Sequence, residues 1–169
     1  MTRRNYLFIY YILLIIVVIM QTTVLLPLQV HNARPDFTLL LLMFFAHQVG
    51  SFHGKFMGFA AGIVMDIIGM APIGFHSFIY TLSGHFFGLT KGKVFVDILT
   101  LPILMAILAT IMKLFLSLLL TIVFEPDRLS ALFSTSILIE IGLNAVISPF
   151  LYAILRLLRL AREHETQMI

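Results

Sequence analysis

The sequence predicts an all-α integral membrane protein, about six transmembrane helices in one bundle, with 1–169 as a single polytopic domain. Three observations predict it. Hydrophobic residues fill 60% of the 169 positions and charged residues only 11%, against roughly 45–50% and about 25% in soluble domains. A soluble fold of this size could not bury so much apolar surface. The apolar residues run in stretches of spanning length, broken by short turns bearing Pro, Gly or charge, and the basic residues sit singly or in pairs at the ends of those stretches.

The first stretch, about 6–28, follows Arg3 and Arg4, passes Gln21-Thr22-Thr23 and stops near Pro27. It is longer than the roughly 7–15 apolar residues of a secretory signal and lacks an Ala-x-Ala cleavage site, so it is expected to be retained as a span. The second, 36–49, opens at Pro35-Asp36, where proline suits a helix start and an acid suits the positive end of the helix dipole. It ends at Gly50-Ser51. The third, 55–70, is followed by Pro72; the fourth, 73–89, ends in the Lys91-Gly92-Lys93 turn. The fifth, 96–124, carries Pro102 near its start, and the sixth, 131–158, follows the polar turn Glu125-Pro126-Asp127-Arg128 and precedes a charged tail. Spans two to four are short, roughly 15–17 residues each, at or below the usual lower limit for crossing about 30 Å of hydrocarbon, and segments of that length can also be re-entrant or lie in the interface. The connections are too short for soluble detours, so six full spans are expected.

Charge orients this arrangement. With the N-terminus inside, Arg3, Arg4, Lys55, Lys91, Lys93, Arg156, Arg159 and Arg162 fall on the cytoplasmic side, and only Arg34 and Arg128 fall outside. Such a bias is the positive-inside signature and puts both termini in the cytoplasm. The net charge of +3 is therefore a topology signal and not a phosphate-binding patch, and no nucleic-acid partner is expected. There is no cysteine, hence no disulfide, thiolate nucleophile or cysteine-held metal. No two of the six histidines stand three or four residues apart, so no metal pair shares a helical face. Asp36, Asp66 and Asp97 lie on different segments and form no visible carboxylate pair, no serine stands in a nucleophile elbow, and no cofactor or catalytic residue is predicted.

Two patterns stand out. Gly54, Gly58, Gly62 and Asp66 recur every four residues and share one face of span three; Gly84 and Gly88, extended by Ser77 and Thr81, give span four a similar face. Small residues at that spacing let helices approach closely in lipid, so these faces read either as a packing seam between spans three and four or as a site for a partner or ligand. The second pattern is intramembrane charge. Lys113 on span five and Glu140 on span six lie at matched depth, about 17 Å from their shared turn. Lys113, Ser117 and Thr121 form one polar stripe; Ser136, Glu140, Asn144 and Ser148 form another. The two stripes are expected to face each other, as a Lys113–Glu140 ion pair with hydrogen-bonded company or as the lining of a polar cavity. The Arg156, Arg159, Arg162 series reads as a topology lock on anionic lipid.

The order of features resembles the MreD family of rod-shape-determining proteins. It rests on Arg34-Pro35-Asp36 followed by Phe37-Thr38-Leu39-Leu40, on Gly54-x3-Gly58-x3-Gly62-x3-Asp66-Ile67, on Pro72-Ile73-Gly74, and on Tyr80-Thr81-Leu82-Ser83-Gly84-His85-Phe86-Phe87-Gly88. The resemblance implies a non-catalytic scaffold of the cell-elongation complex in the bacterial inner membrane, helping to maintain cell shape and direct peptidoglycan synthesis. Its implied partners are an MreC-like bitopic protein, an MreB-like actin homologue, and a RodA-type glycosyltransferase with its transpeptidase. It further implies a helical arrangement similar to the substrate-binding subunits of energy-coupling-factor transporters, which supplies the alternative reading of a vitamin-type binding subunit. That reading is disfavoured by the absence of Trp and the scarcity of outer polar groups.

The pairing generates a first test. Replacing Lys113 alone by Leu is expected to damage folding or assembly more than replacing Lys113 and Glu140 together, since the single change strands a charge. Equal damage from both, read as the yield of monodisperse protein in mild detergent, would argue against a pair.

Overall fold

A computed structural model of the chain describes residues 3–23, 33–69, 71–93, 99–124 and 136–158. The Pro27 stop, the start of the fifth span at 96, the turn at 125–128, Arg159 and Arg162 lie outside the described residues. Six helices and no strand are found among the described residues: α1 (Arg3–Thr23), α2 (Phe37–Val49), α3 (Ser51–Gly69), α4 (Phe75–Gly88), α5 (Thr100–Phe124) and α6 (Ser136–Leu157).

Helix α2 is the axis of the bundle. Thr38 to His47 are all buried, and α2 packs against every one of the other five helices. A helix that is apolar on every side has no solvent-facing stripe and belongs at the centre of an assembly. Its start is fixed by Asp36, whose carboxylate accepts from the Leu39 amide at 2.9 Å, the N-cap interaction. Pro35 therefore precedes the cap rather than beginning the helix. At the other end Gly50 takes φ +100°, a conformation that side chains resist, and reverses the chain in one residue. No loop is needed, so α3 begins at Ser51, four residues ahead of the expected Lys55.

The α3–α4 pair forms the most extensive helix contact. The glycines make it possible. A Cβ at Gly54 would overlap the Gly84 carbonyl, one at Gly58 the Tyr80 carbonyl, one at Gly62 the Ser77 backbone, and one at Gly88 the Ser51 backbone. These contacts run antiparallel and bring the two backbones together from Ser51 to Gly62 on α3, about three turns. All of these glycines are buried. Of the two readings of this face, the structure shows the packing one: α4 covers it.

Helix α5 shows what surrounds the bundle. Its exposed side carries Leu104, Leu108, Ile111, Phe115, Leu119 and Ile122, while its buried side carries Ala106, Ala109, Thr110, Ser117 and Thr121. The outward face is the more apolar one, the reverse of a soluble helix, and it suits a hydrocarbon solvent. Helices α5 and α6 are long and apolar enough to cross a membrane. Helices α2 and α4, of 13 and 14 residues, are short by comparison; at 1.5 Å per residue each rises only about 20 Å.

Glycine position sets a second test. Gly58→Ala is expected to lower thermal stability in detergent by about 1–3 kcal/mol through overpacking against Tyr80. Gly142→Ala, whose Cβ would meet nothing within 4 Å, is expected to leave it unchanged or slightly raised. Circular dichroism melting compares the two; similar melting points would remove the steric account of the seam.

Candidate functional site

The N-terminal end of α2 reaches the middle of α5, and five helices meet there at one carboxylate. Asp36 is buried, with 2% of its side chain exposed. Besides the Leu39 amide it accepts from Gln21 Nε2 on α1 at 3.2 Å and from Lys113 Nζ on α5 at 2.7 Å, and the Tyr80 hydroxyl of α4 lies 3.0 and 3.1 Å from its two oxygens. The Asp36 amide in turn donates to Asn144 Oδ1 on α6 at 2.8 Å. Gln21 uses its carbonyl oxygen as well, accepting from the Thr38 amide and hydroxyl at 2.9 and 3.1 Å. The Tyr80 hydroxyl also lies 3.2 Å from Met65 Sδ, which brings α3 to the edge of the network.

Lys113 has a second acceptor, Glu140 Oε1, at 2.6 Å. The side chains of Lys113 and Glu140 are 19% and 17% exposed, so the pair sits at the edge of the buried region. The seam between α5 and α6 continues below it. Asn144 Nδ2 donates to Thr110 Oγ1 at 3.0 Å, and Ser148 Oγ donates to the Pro102 carbonyl at 2.7 Å. The structure therefore brings Lys113, Glu140 and Asn144 together and adds Asp36 from the Arg34-Pro35-Asp36 motif. Spacing showed no pair among Asp36, Asp66 and Asp97; the carboxylate that joins Asp36 is Glu140, and the two share one ammonium. The physical reason is tertiary. Asp36 lies at a helix end, and that end is buried at the depth of Lys113 because α2 is short.

Asp66 has a separate task. Helix α4 begins after Gly74 at φ +104°, with no side-chain cap of its own. Asp66, at the end of the glycine face of α3, supplies the missing cap from across the turn. Its oxygens accept from the amides of Gly74, His76 and Ser77 at 2.9, 2.9 and 3.2 Å, from Ser77 Oγ at 3.0 Å and from His76 Nδ1 at 2.8 Å. A carboxylate at a helix N-terminus meets the orphan amides and the positive dipole end together. With five donors on it, Asp66 is engaged within the fold.

A cavity of about 510 Å³ lies beside the network, lined by Arg34, Asp36, Met65, His76, Lys113 and Glu140 among others. It sits at the level where α1 and α3 end and α2 and α4 begin, while α5 runs eleven residues past Lys113, about 16 Å further. Arg34 is exposed on its wall and Pro35 holds the chain between Arg34 and the cap. Among the described residues no group of three or more His, Asp or Glu is arranged to hold a metal. Sequence reasoning did not mark Gln21, Tyr80 or Thr110 as members of this network. The signal for Gln21 was an amide inside an otherwise apolar run; Tyr80 and Thr110 carried none that spacing could reveal.

The cluster makes a third test. Lys113→Met leaves two buried carboxylates without their cation and is expected to cost about 3–5 kcal/mol of stability. Asp36→Asn keeps the cap and leaves Lys113 balanced by Glu140, and is expected to cost about 1 kcal/mol. The triple change Lys113→Met, Asp36→Asn, Glu140→Gln is expected to recover most of the loss, whereas Lys113→Met with Glu140→Gln, which still strands Asp36, is expected to recover only part of it. Thermal unfolding in detergent, followed by circular dichroism, reads all four.

The sequence model of one family, described as rod shape-determining protein MreD, matches residues 1–159 of the chain. No curated protein and no solved structure matches it.

Proposed function

The chain belongs to the rod shape-determining protein MreD family, a family of membrane proteins acting in rod-shape determination, and on that premise we propose that it is a non-catalytic scaffold of the cell-elongation complex. The observation that carries this reading is how its polar groups are engaged. Asp36 accepts from four donors and Asp66 from five, and Asn144 both donates and accepts between helices. Neither aspartate has a lone pair to spare for general-base work, which needs a free, positioned acceptor. These charges hold helices in place, and outside the cavity beside Asp36 the surface left for recognition is apolar helix face and short connections.

On this reading the partners are an MreC-like bitopic protein, an MreB-like actin homologue and a RodA-type glycosyltransferase with its transpeptidase, and binding them helps direct peptidoglycan synthesis. The chain crosses the inner membrane several times with both termini cytoplasmic, supported by the placement of its basic residues. The spanning helix of the bitopic partner would lie in the groove between α4 and α5, an apolar trough of about 410 Å³ lined by Phe86, Phe87, Leu108, Ile111, Met112 and Phe115. The alternative, a vitamin-type subunit similar to those of energy-coupling-factor transporters, has one observation in its favour, the polar cavity beside Asp36. Recovery of an ATPase module with the purified protein would favour it.

A photo-crosslinker at Ile111 in living cells is expected to capture the bitopic partner, and one at Ile12, on the exposed side of α1, is expected to capture much less. Equal capture at both, or none at Ile111, would remove the groove as the docking place. Failure of any elongation-complex protein to co-purify in mild detergent would count against the scaffold itself.

A further inference from the structure

We propose that the cavity beside Asp36 binds a primary ammonium carried next to an anionic group, the chemistry of phosphoethanolamine. This goes beyond the scaffold reading and does not depend on which proteins the scaffold binds. It begins with what the charged network leaves over. Lys113 is shared between Asp36 and Glu140 at 2.7 and 2.6 Å, so the three groups, when ionised, carry one negative charge in excess. Asp36 is saturated by its four donors. Glu140 is not: among the described residues it accepts only from Lys113, at Oε1. No buried side-chain oxygen or nitrogen in the described structure lacks a partner. The second Glu140 oxygen therefore reaches open space, and the cavity is the space that Glu140 lines.

His76 follows the same logic. Its Nδ1 lies 2.8 Å from Asp66 Oδ1, an acceptor, so Nδ1 carries a proton. Nε2 has no partner among the described residues and so is not buried; His76 lines the same cavity. An open carboxylate oxygen with an excess negative charge behind it calls for a cation that donates hydrogen bonds. A primary ammonium has three N–H donors and fits; a quaternary ammonium has none and does not.

The opposite charge is supplied from the wall. Arg34 lines the cavity, is exposed, and has no hydrogen bond or ion pair among the described residues. Its planar fork suits the oxygens of a phosphate or carboxylate. Thus the cavity offers an acceptor for an ammonium and a guanidinium for the neighbouring anion. Met65 and Ile68 add apolar wall. A volume of about 510 Å³ is adequate for such a group, within the usual range of about 300–1,000 Å³ for small-ligand sites. The same chemistry is found in the headgroup of an ethanolamine lipid and in a free ester such as glycerophosphoethanolamine.

Native mass spectrometry of the full-length protein, released from nanodiscs containing phosphatidylethanolamine, phosphatidylcholine and phosphatidylglycerol with matched chains, tests it. Phosphatidylethanolamine is expected to stay bound at collision energies that strip the other two. Glu140→Gln and Arg34→Ala are each expected to reduce that retention about tenfold, the loss of one charge-assisted hydrogen bond. Arg34 is exposed, so its variant serves if the Glu140 variant does not fold. Displacement of the lipid by glycerophosphoethanolamine supports the free ester as the source; resistance to it supports the lipid. Equal retention of the three lipids, unchanged retention in Arg34→Ala, or no binding of either ethanolamine compound would overturn the proposal.

Discussion

A carboxylate placed in an apolar bundle has to be compensated on every side, and Asp36 shows how far that requirement reaches. Its compensation comes from a backbone amide on α2, an amide side chain on α1, a phenol on α4 and an ammonium on α5, and its own amide is held by α6. Moving any of these helices by a turn would remove one of the partners of Asp36, in surroundings where an unpaired ion costs several kcal/mol. In lipid, apolar side chains pack almost as well against acyl chains as against one another, so hydrophobicity alone does not choose one arrangement of helices. The Asp36 network supplies the choice.

The remaining helix is tied in by a different force. Helix α3 reaches the network only at its edge, where Met65 Sδ lies against the Tyr80 hydroxyl, and instead meets α4 backbone to backbone along Gly54, Gly58 and Gly62. Close approach multiplies dispersion contacts and needs no charge. Asp66 then joins the two mechanisms, since it completes the glycine face and caps the helix packed on it. The α3–α4 pair is accordingly a unit held by shape and one cap, docked on a frame held by charge.

Some of this was legible in the sequence and some could not be. The glycine face of α3 was legible because a helical repeat converts spacing into direction without further information. The meeting of Lys113 and Glu140 was legible because antiparallel neighbours sharing a turn can be measured from that turn. Asp36 read only as a helix-start acid, since its other partners lie on helices 15 to 108 residues away in sequence and depth cannot be counted across them. Asp66 misled for a related reason: the cap it provides belongs to a helix whose own start, at Gly74, carries no capping side chain. The early start of α3 depended on the positive φ of Gly50, a conformation that glycine permits without announcing.

The unequal helix lengths have a consequence for the surrounding lipid. Where α5 faces outward, 25 residues of helix present an apolar wall taller than the acyl region; where α4 faces outward, 14 residues present one shorter than it. Hydrophobic mismatch of this kind is relieved by tilting on the tall side and by local thinning on the low side, at a cost that accumulates per ångström. One flank of the molecule is thereby the place where the bilayer is most deformed. Any other protein with equally short spans would share that deformation instead of repeating it, so lipid elasticity itself would draw such neighbours to the α4 side before a single side chain is in contact.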